Sequence, residues 1–193
     1  MPQIKDLLVE QLQDLLHAET QLTGALPKMA KAANHPKLKE AFEKHLAQTE
    51  QHVERLKQVF QALGEKAEPK ACKAMIGLIE EGEETIEEGA AKEEFAADLA
   101  LIAAAQRVEH YEIACYGTVR GLARQMGEYG CARLLSQTLG EEESADFLLT
   151  AISDPLIQRV SIEDAGDAVH LENTEKRPAA RRRKTEKTEK VAS

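Results

Sequence analysis

Residues 101–117 read LIAAAQRVEHYEIACYG, and this stretch decides the fold. Ile102, Ile113 and Tyr116 recur at helical spacing, and the same apolar stripe continues outward to Leu99 and Val119. The spacing predicts one long helix from about Glu93 to Met126. Each residue advances about 100° around a helix, so Glu109 falls on the apolar face and Glu112 lies one step round. An ionised carboxylate in an apolar core is very costly unless it is paired or metal-bound. Two acids on a core-facing stripe therefore point to chemistry in the middle of a helical bundle.

The rest of the chain repeats the pattern. Leu8, Leu12, Leu15, Leu16, Leu22 and Leu26 define a first helix from about Ile4 to Asn34, with Glu19 on its apolar face. Pro27 is expected to kink or split it near Gly24, and Asn34-His35-Pro36 reads as a turn. A second helix spans about Lys37 to Leu63 and stops at Gly64. In it His45, Thr49 and His52 share a face with Leu38 and Leu56. A shorter helix over about Ala71 to Glu88 crosses between the two halves. Gly127 to Gly130 form a turn, and a fourth long helix runs from about Cys131 to Ser153, ended by Asp154-Pro155. There Glu142 falls amid Leu135, Leu139 and Leu149, Asp146 lies beside it, and Glu143 sits at the edge. The predicted fold is all-α, an antiparallel four-helix bundle with a shorter crossover helix.

Composition agrees. Hydrophobic residues make up 42% of 193 residues, aromatics 4%, with no Trp, so Leu, Ile, Val and Ala build the core. After Pro155 the periodicity fades. The chain divides into a bundle of residues 1–160, a linker of 161–173 and a low-complexity basic tail of 174–193, read as disordered. The net charge is −9, and the tail carries +5, leaving −14 on the body. A body this acidic excludes nucleic-acid binding through the bundle. The tail, with Arg181-Arg182-Arg183-Lys184, suits either nucleic acid, an anionic surface or simple solubilisation. The acidic run Glu80-Glu81-Gly82-Glu83-Glu84 reads as a solvated face. Cys72, Cys115 and Cys131 are odd in number and widely spaced, so they read as reduced thiols. No run approaches the length of a membrane span, and the amphipathic N-terminus is unlike a secretory signal. The expected compartment is the cytoplasm.

Every long helix thus offers an acid or imidazole at about mid-length. Glu19, His52 and Glu109, with Glu142, Glu143 or Asp146, can converge in one layer, and carboxylates with an imidazole suit Fe, Mn or Zn. A weak internal echo pairs Ala18-Glu19 with Val108-Glu109 and Gln48-Thr49 with Gln137-Thr138, as two similar hairpins around a pseudo-twofold axis would. No Ser/His/Asp triad, cysteine nucleophile constellation or phosphate-binding glycine loop is present.

The segments DLLHAETQLTGALPKMAKAA (14–33), AFEKHLAQTEQHVERL (41–56), CKAMIGLIEEG (72–82), LIAAAQRVEHYEIACYGT (101–118) and LLSQTLGEEESADFLL (134–149) resemble the YciF/YciE-type bacterial stress proteins, a branch of the ferritin-like superfamily. The resemblance covers residues 4–160. It implies a ferritin-like bundle, a homodimer, a stress-linked role and a centre for two Fe or Mn ions. By position, Glu19 and Glu109 match the single glutamates of the two ferritin-like halves. His52 matches the histidine of the second helix's Glu-x-x-His, whose glutamate position holds Thr49. Glu143 and Asp146 occupy the Glu-x-x-His positions of the fourth helix, with Asp in place of His. The usual set thus lacks one carboxylate and one imidazole, and Glu112 is placed to supply the carboxylate. His45 reads as structural or supporting, His110 as outward-facing, and Tyr111 and Tyr116 as packed aromatics by default, with partnering a carboxylate as the alternative. The functional expectation is a di-iron or di-manganese protein with Fe(II)-oxidising or peroxide-consuming chemistry. The rival is a metal-free helical stress or scaffold protein with its acids paired to His45, His52 or Arg120.

Overall fold

In the computed structural model residues 2–175 are described, with side-chain surroundings given for 3–158. Those residues form α1 (Pro2–Ala32), α2 (Pro36–Leu63), α3 (Lys73–Gly89), α4 (Glu94–Gln125) and α5 (Tyr129–Glu175), with no strand among the described residues. The compact bundle is Met1–Ile157, and Gln158–Ser193 is a separate unit.

Short turns make α1/α2 and α4/α5 two antiparallel hairpins. The backbone of Asn34, at the end of α1, meets Asp98 at the start of α4, whereas Asp14 near the other end meets Tyr111. α1 and α4 therefore run in opposite directions. His17 meets Cys72, and Lys28 meets Glu83, so α3 runs alongside α1 in the same direction. It carries the chain back across the bundle and lets α2 and α4 point the same way. This is the single-crossover connectivity of a four-helix bundle.

The turns are chemically specified. Pro36 opens α2, where a missing N–H removes no helical hydrogen bond. Gly64 closes α2 at φ 70°, and Glu65 N–H bonds back to the Phe60 carbonyl, the left-handed cap expected there. Asp98 holds the first hairpin against α4. It is 2% exposed, and its two oxygens accept the Asn34 and His35 N–H groups at 2.8 Å each. Asp98→Ala is expected to destabilise the protein by about 1–3 kcal/mol, since it leaves two backbone donors without their charged acceptor. Urea unfolding checks this, and an unchanged midpoint would show that the turn does not need the clamp.

Pro27 and Pro155 both lie inside helices. The split expected at Pro27 does not occur, and α1 runs through it. Leu26, Met29 and Ala30 are buried around it, and that packing outweighs the lost ladder bond. Asp154-Pro155 likewise does not stop the last helix, because Ile152 and Leu156 are both buried on either side of Pro155. α5 continues to Glu175, so the stretch 161–173 read as a linker is helical. Thr174 and Glu175 close that helix, and the rest of the tail, read as disordered, lies outside the described residues.

The apolar interior is divided in two. One cluster contains Leu8, Leu12, Leu15, Leu56, Phe60, Val119 and Leu135; the other contains Leu22, Leu26, Leu38, Phe42, Ile102, Leu149 and Ile152. A buried polar layer lies between them along the sequence of every long helix.

Candidate metal centre

That layer is set by unbroken three- and four-residue steps. In α1 the buried row is Leu8, Leu12, Leu15, Glu19, Leu22, Leu26; in α2 it is Leu38, Phe42, His45, Thr49, His52, Leu56. In α4 it is Ala105, Glu109, Glu112, Tyr116, Val119, and in α5 Leu135, Glu142, Leu149 and Leu156 recur every seven residues. The polar residues occupy core positions, so they must turn inward with the leucines.

Glu19, His52, Glu112 and Glu142 are fully buried, and Glu109 and His45 are 3% and 6% exposed. They form two adjoining groups. His45, Glu109, Glu112 and Glu142 make one; Glu19, His52 and Glu142 make the other, and Glu142 belongs to both. One donor atom per residue lies within 4.8 Å of the others in its group. First-row ions bond nitrogen and oxygen at about 2.0–2.2 Å, so small side-chain rotations bring either set around one cation. His45 Nε2 is 3.3 Å from Glu109 and 3.5 Å from Glu142. The two imidazole rings sit 6.2 Å apart.

His52 is held from the outside. Its Nε2–H donates to Glu141 at 2.8 Å, and Arg55 grips both oxygens of Glu141 at 2.5 and 2.9 Å while also reaching Thr138. This leaves Nδ1 facing inward, 2.9 Å from Glu142 and 3.3 Å from Glu19. Those are ion-pair distances without hydrogen-bond alignment, so Nδ1 lies against the two carboxylates and has to give up its proton before it can bind a cation. A carboxylate fixing the far nitrogen of an imidazole is the usual support of a metal-ligating histidine. Tyr116, in the wall of the site, donates its hydroxyl to Glu19.

The layer tests well as a cation site. Both oxygens of Glu112 and Glu142, one each of Glu19 and Glu109, both nitrogens of His45 and Nδ1 of His52 have no hydrogen-bond partner. Buried polar atoms are nearly always paired, and among the described residues the unpaired ones, apart from His35 Nδ1, converge here. Burial drives Glu19 up to about 7 against the opposing pull of His52. Burial, reinforced by neighbouring carboxylates, raises Glu109 and Glu112 well above the ordinary range. Burial also lowers His45. It disfavours the His52 cation too, yet Glu142 and Glu19 outweigh it and push that pKa up to about 10.

The chain matches the model of a domain family of unknown function, DUF892, over residues 3–161. It belongs to this family. The DUF892 chain is 46% identical over 154 residues to Protein YciF of Escherichia coli K12, covering 79% of this chain and 92% of that one. The crystal structure of the E. coli stress protein YciF superposes with a TM-score of 0.78 at 44% identity, over 82% of this chain and 99% of that one. YcfI from Rhodopseudomonas palustris gives 0.72 at 40% identity, over 76% and 92%. A Xanthomonas campestris protein gives 0.64 at 20% identity, over 84% and 99%, and so shares the fold. The expected likeness to YciF-type proteins and the all-helical fold both hold.

Of the expected site residues, Glu19, His52, Glu109, Glu112 and Glu142 come together. Glu143 and Asp146 do not. Glu143 is one residue past the inward row and is exposed, and Asp146 is half-buried, accepting a bond from Gln106 and lying 3.4 Å from the outward His110. The family register and the helical wheel differ by one residue in α5, and the seven-residue spacing of Leu135, Glu142 and Leu149 decides for the wheel. His45 belongs to the group rather than behind it. Glu141 and Arg55 were missed, although they sit one step from Glu142 and three from His52. Tyr111 takes the second of its two expected roles, donating to the Asp14 carboxylate, and receives the Cys72 thiol. All three cysteines are free. No described helix is long and apolar enough to cross a membrane.

Proposed function

We propose that this homologue of the stress protein YciF holds two divalent first-row ions, Fe or Mn with Zn as a further fit, in the polar layer of its bundle. The observation that carries the reading is the convergence of buried, unpaired ligand atoms from six residues on four helices. Charge supports it as well. Glu19, Glu109, Glu112 and Glu142 bring four negative charges, which two divalent cations with neutral imidazoles balance.

The ligand set carries its own compensation. Thr49 stands where a carboxylate is usual, and Glu112 brings one from α4. With Glu142 as the ligand, Ala145 stands where an imidazole is usual, and His45 brings one from α2. Glu19, His52 and Glu142 would hold one ion, and His45, Glu109 and Glu112, again with Glu142, would hold the other. Such a pair, when bound, supplies Fe(II) oxidation or peroxide consumption by cycling between oxidation states. The chain's part is to orient His52 through Glu141 and Arg55 and to hold protons on its carboxyls until a cation displaces them. A homodimer is part of this reading, on family likeness alone.

A metal-free structural bundle is the second reading, favoured by one observation: His52 already sits among Glu19, Glu141 and Glu142. Elemental mass spectrometry on protein expressed with iron and manganese separates the two. The expected result is about two Fe or Mn per chain, lost in a Glu19→Ala/Glu109→Ala variant. No bound metal in the parent sinks the metal reading.

A further inference from the structure

The two halves of the polar layer differ in their access to solvent. Between α2 and α5 a groove reaches His45 and Glu109, walled by Ala41, Ala145 and Leu148 and lined also by Lys44. On the other side Glu19, His52 and Tyr116 are fully buried. Beyond His52 the way out is occupied by Glu141 clamped in the Arg55 fork.

We propose that this groove is the access route to the centre, and that it delivers a small uncharged molecule of water, peroxide or dioxygen size to the His45/Glu109 position. The inference rests on the metal-pair reading and adds which of the two positions meets the substrate. Three features select the class. The free space of about 50 Å³ accommodates a few water-sized molecules and no organic substrate. The lining surface is mostly apolar, and Gln48 and Ser144, its neutral polar side chains, are too few to replace the hydration of an ion. Lys44 at the exposed part of the lining repels cations.

The consequence is an inequivalent pair. The His45/Glu109 position exchanges a bound small molecule with solvent, while the Glu19/His52 position stays sealed and holds its ion in a dry, fixed setting. Ala145 and Leu148 control the passage in opposite directions. Leucine at 145 fills the groove and alanine at 148 widens it, and neither substitution removes a proposed ligand or a helix former.

The test is water-proton relaxation of the full-length chain loaded with Mn(II), with manganese content measured on the same samples. The parent should show paramagnetic enhancement from exchanging water. Ala145→Leu should lose most of it at unchanged manganese content, and Leu148→Ala should increase it, so one variant still decides if the other does not fold. No enhancement in the parent at full manganese content, or identical enhancement in parent and folded variants, overturns the groove as the route. A parent that binds no manganese overturns the metal reading and this inference with it.

Discussion

Replacing Glu112 by Leu is expected to make the metal-free chain more stable than the metal-free parent, by about 1–3 kcal/mol. The same substitution should remove most of the stabilisation that metal confers. Glu112 is fully buried, and neither of its oxygens has a partner. Burial and then the neighbouring carboxyls of Glu19, Glu142 and Glu109 disfavour its ionised form, and the group still lacks its hydrogen bonds in an apolar bundle. Leucine matches the surrounding core in size and has no polar atom to satisfy. Bound metal reverses the balance, because Glu112 then becomes a ligand. A ligand that binds only the folded state adds about 4 kcal/mol at a thousand times its Kd. Urea unfolding with a chelator and with Mn(II) measures both effects. A structural polar network predicts the opposite sign in chelator, so a less stable metal-free Glu112→Leu chain would sink the reading.

Why Glu112 and its neighbours were legible in the sequence, and others were not, follows from helical geometry. Glu19, Glu109 and Glu142 interrupt rows of leucine, isoleucine and alanine at three- and four-residue steps, and a charge in such a row announces itself. Glu142 and Glu143 differ by only about 100° on the wheel, so a register borrowed from relatives selects the exposed Glu143, whereas the Leu135–Leu149 spacing selects the buried Glu142. His45 obeys the same spacing as His52. It was underrated because a lone imidazole on an apolar face has many structural uses, and nothing local shows that Glu109 lies opposite. Glu141 and Arg55 sit at the margin of their stripes, partly exposed. Their role exists only across the α2/α5 interface, 86 positions apart in the chain. Asp98 is similar, since its partners are backbone groups of a distant turn. The overextended reading of Pro155 has another cause: a proline's local cost is visible in sequence, and the burial of Ile152 and Leu156 that offsets it is not.

The second large effect is a pH dependence of the metal-free chain that bound metal removes. Between about pH 6.5 and 9 an unfolded chain has its glutamates ionised, while its histidines go from half charged at the lower limit to neutral at the upper. The folded, metal-free chain binds more protons: Glu19 has been driven up to about 7, Glu109 and Glu112 well above the ordinary range, and His52 to about 10. Groups with raised folded pKa values stabilise fully below their unfolded values and lose that contribution as pH rises through the folded ones. Metal-free stability should therefore fall across this window. His45 is the exception, lowered by burial, and its effect lies at lower pH, where protonation favours the unfolded chain. Metal binding needs the carboxylates and imidazoles deprotonated, so binding releases protons and strengthens as pH rises. The gap in Tm between Mn(II)-loaded and chelated protein should widen steadily from pH 6.5 to 9. Titration calorimetry in buffers of different ionisation enthalpy should register protons released on binding. A gap that stays constant with pH, with no proton release, would mean that the ions bind at exposed carboxylates and leave the buried layer protonated.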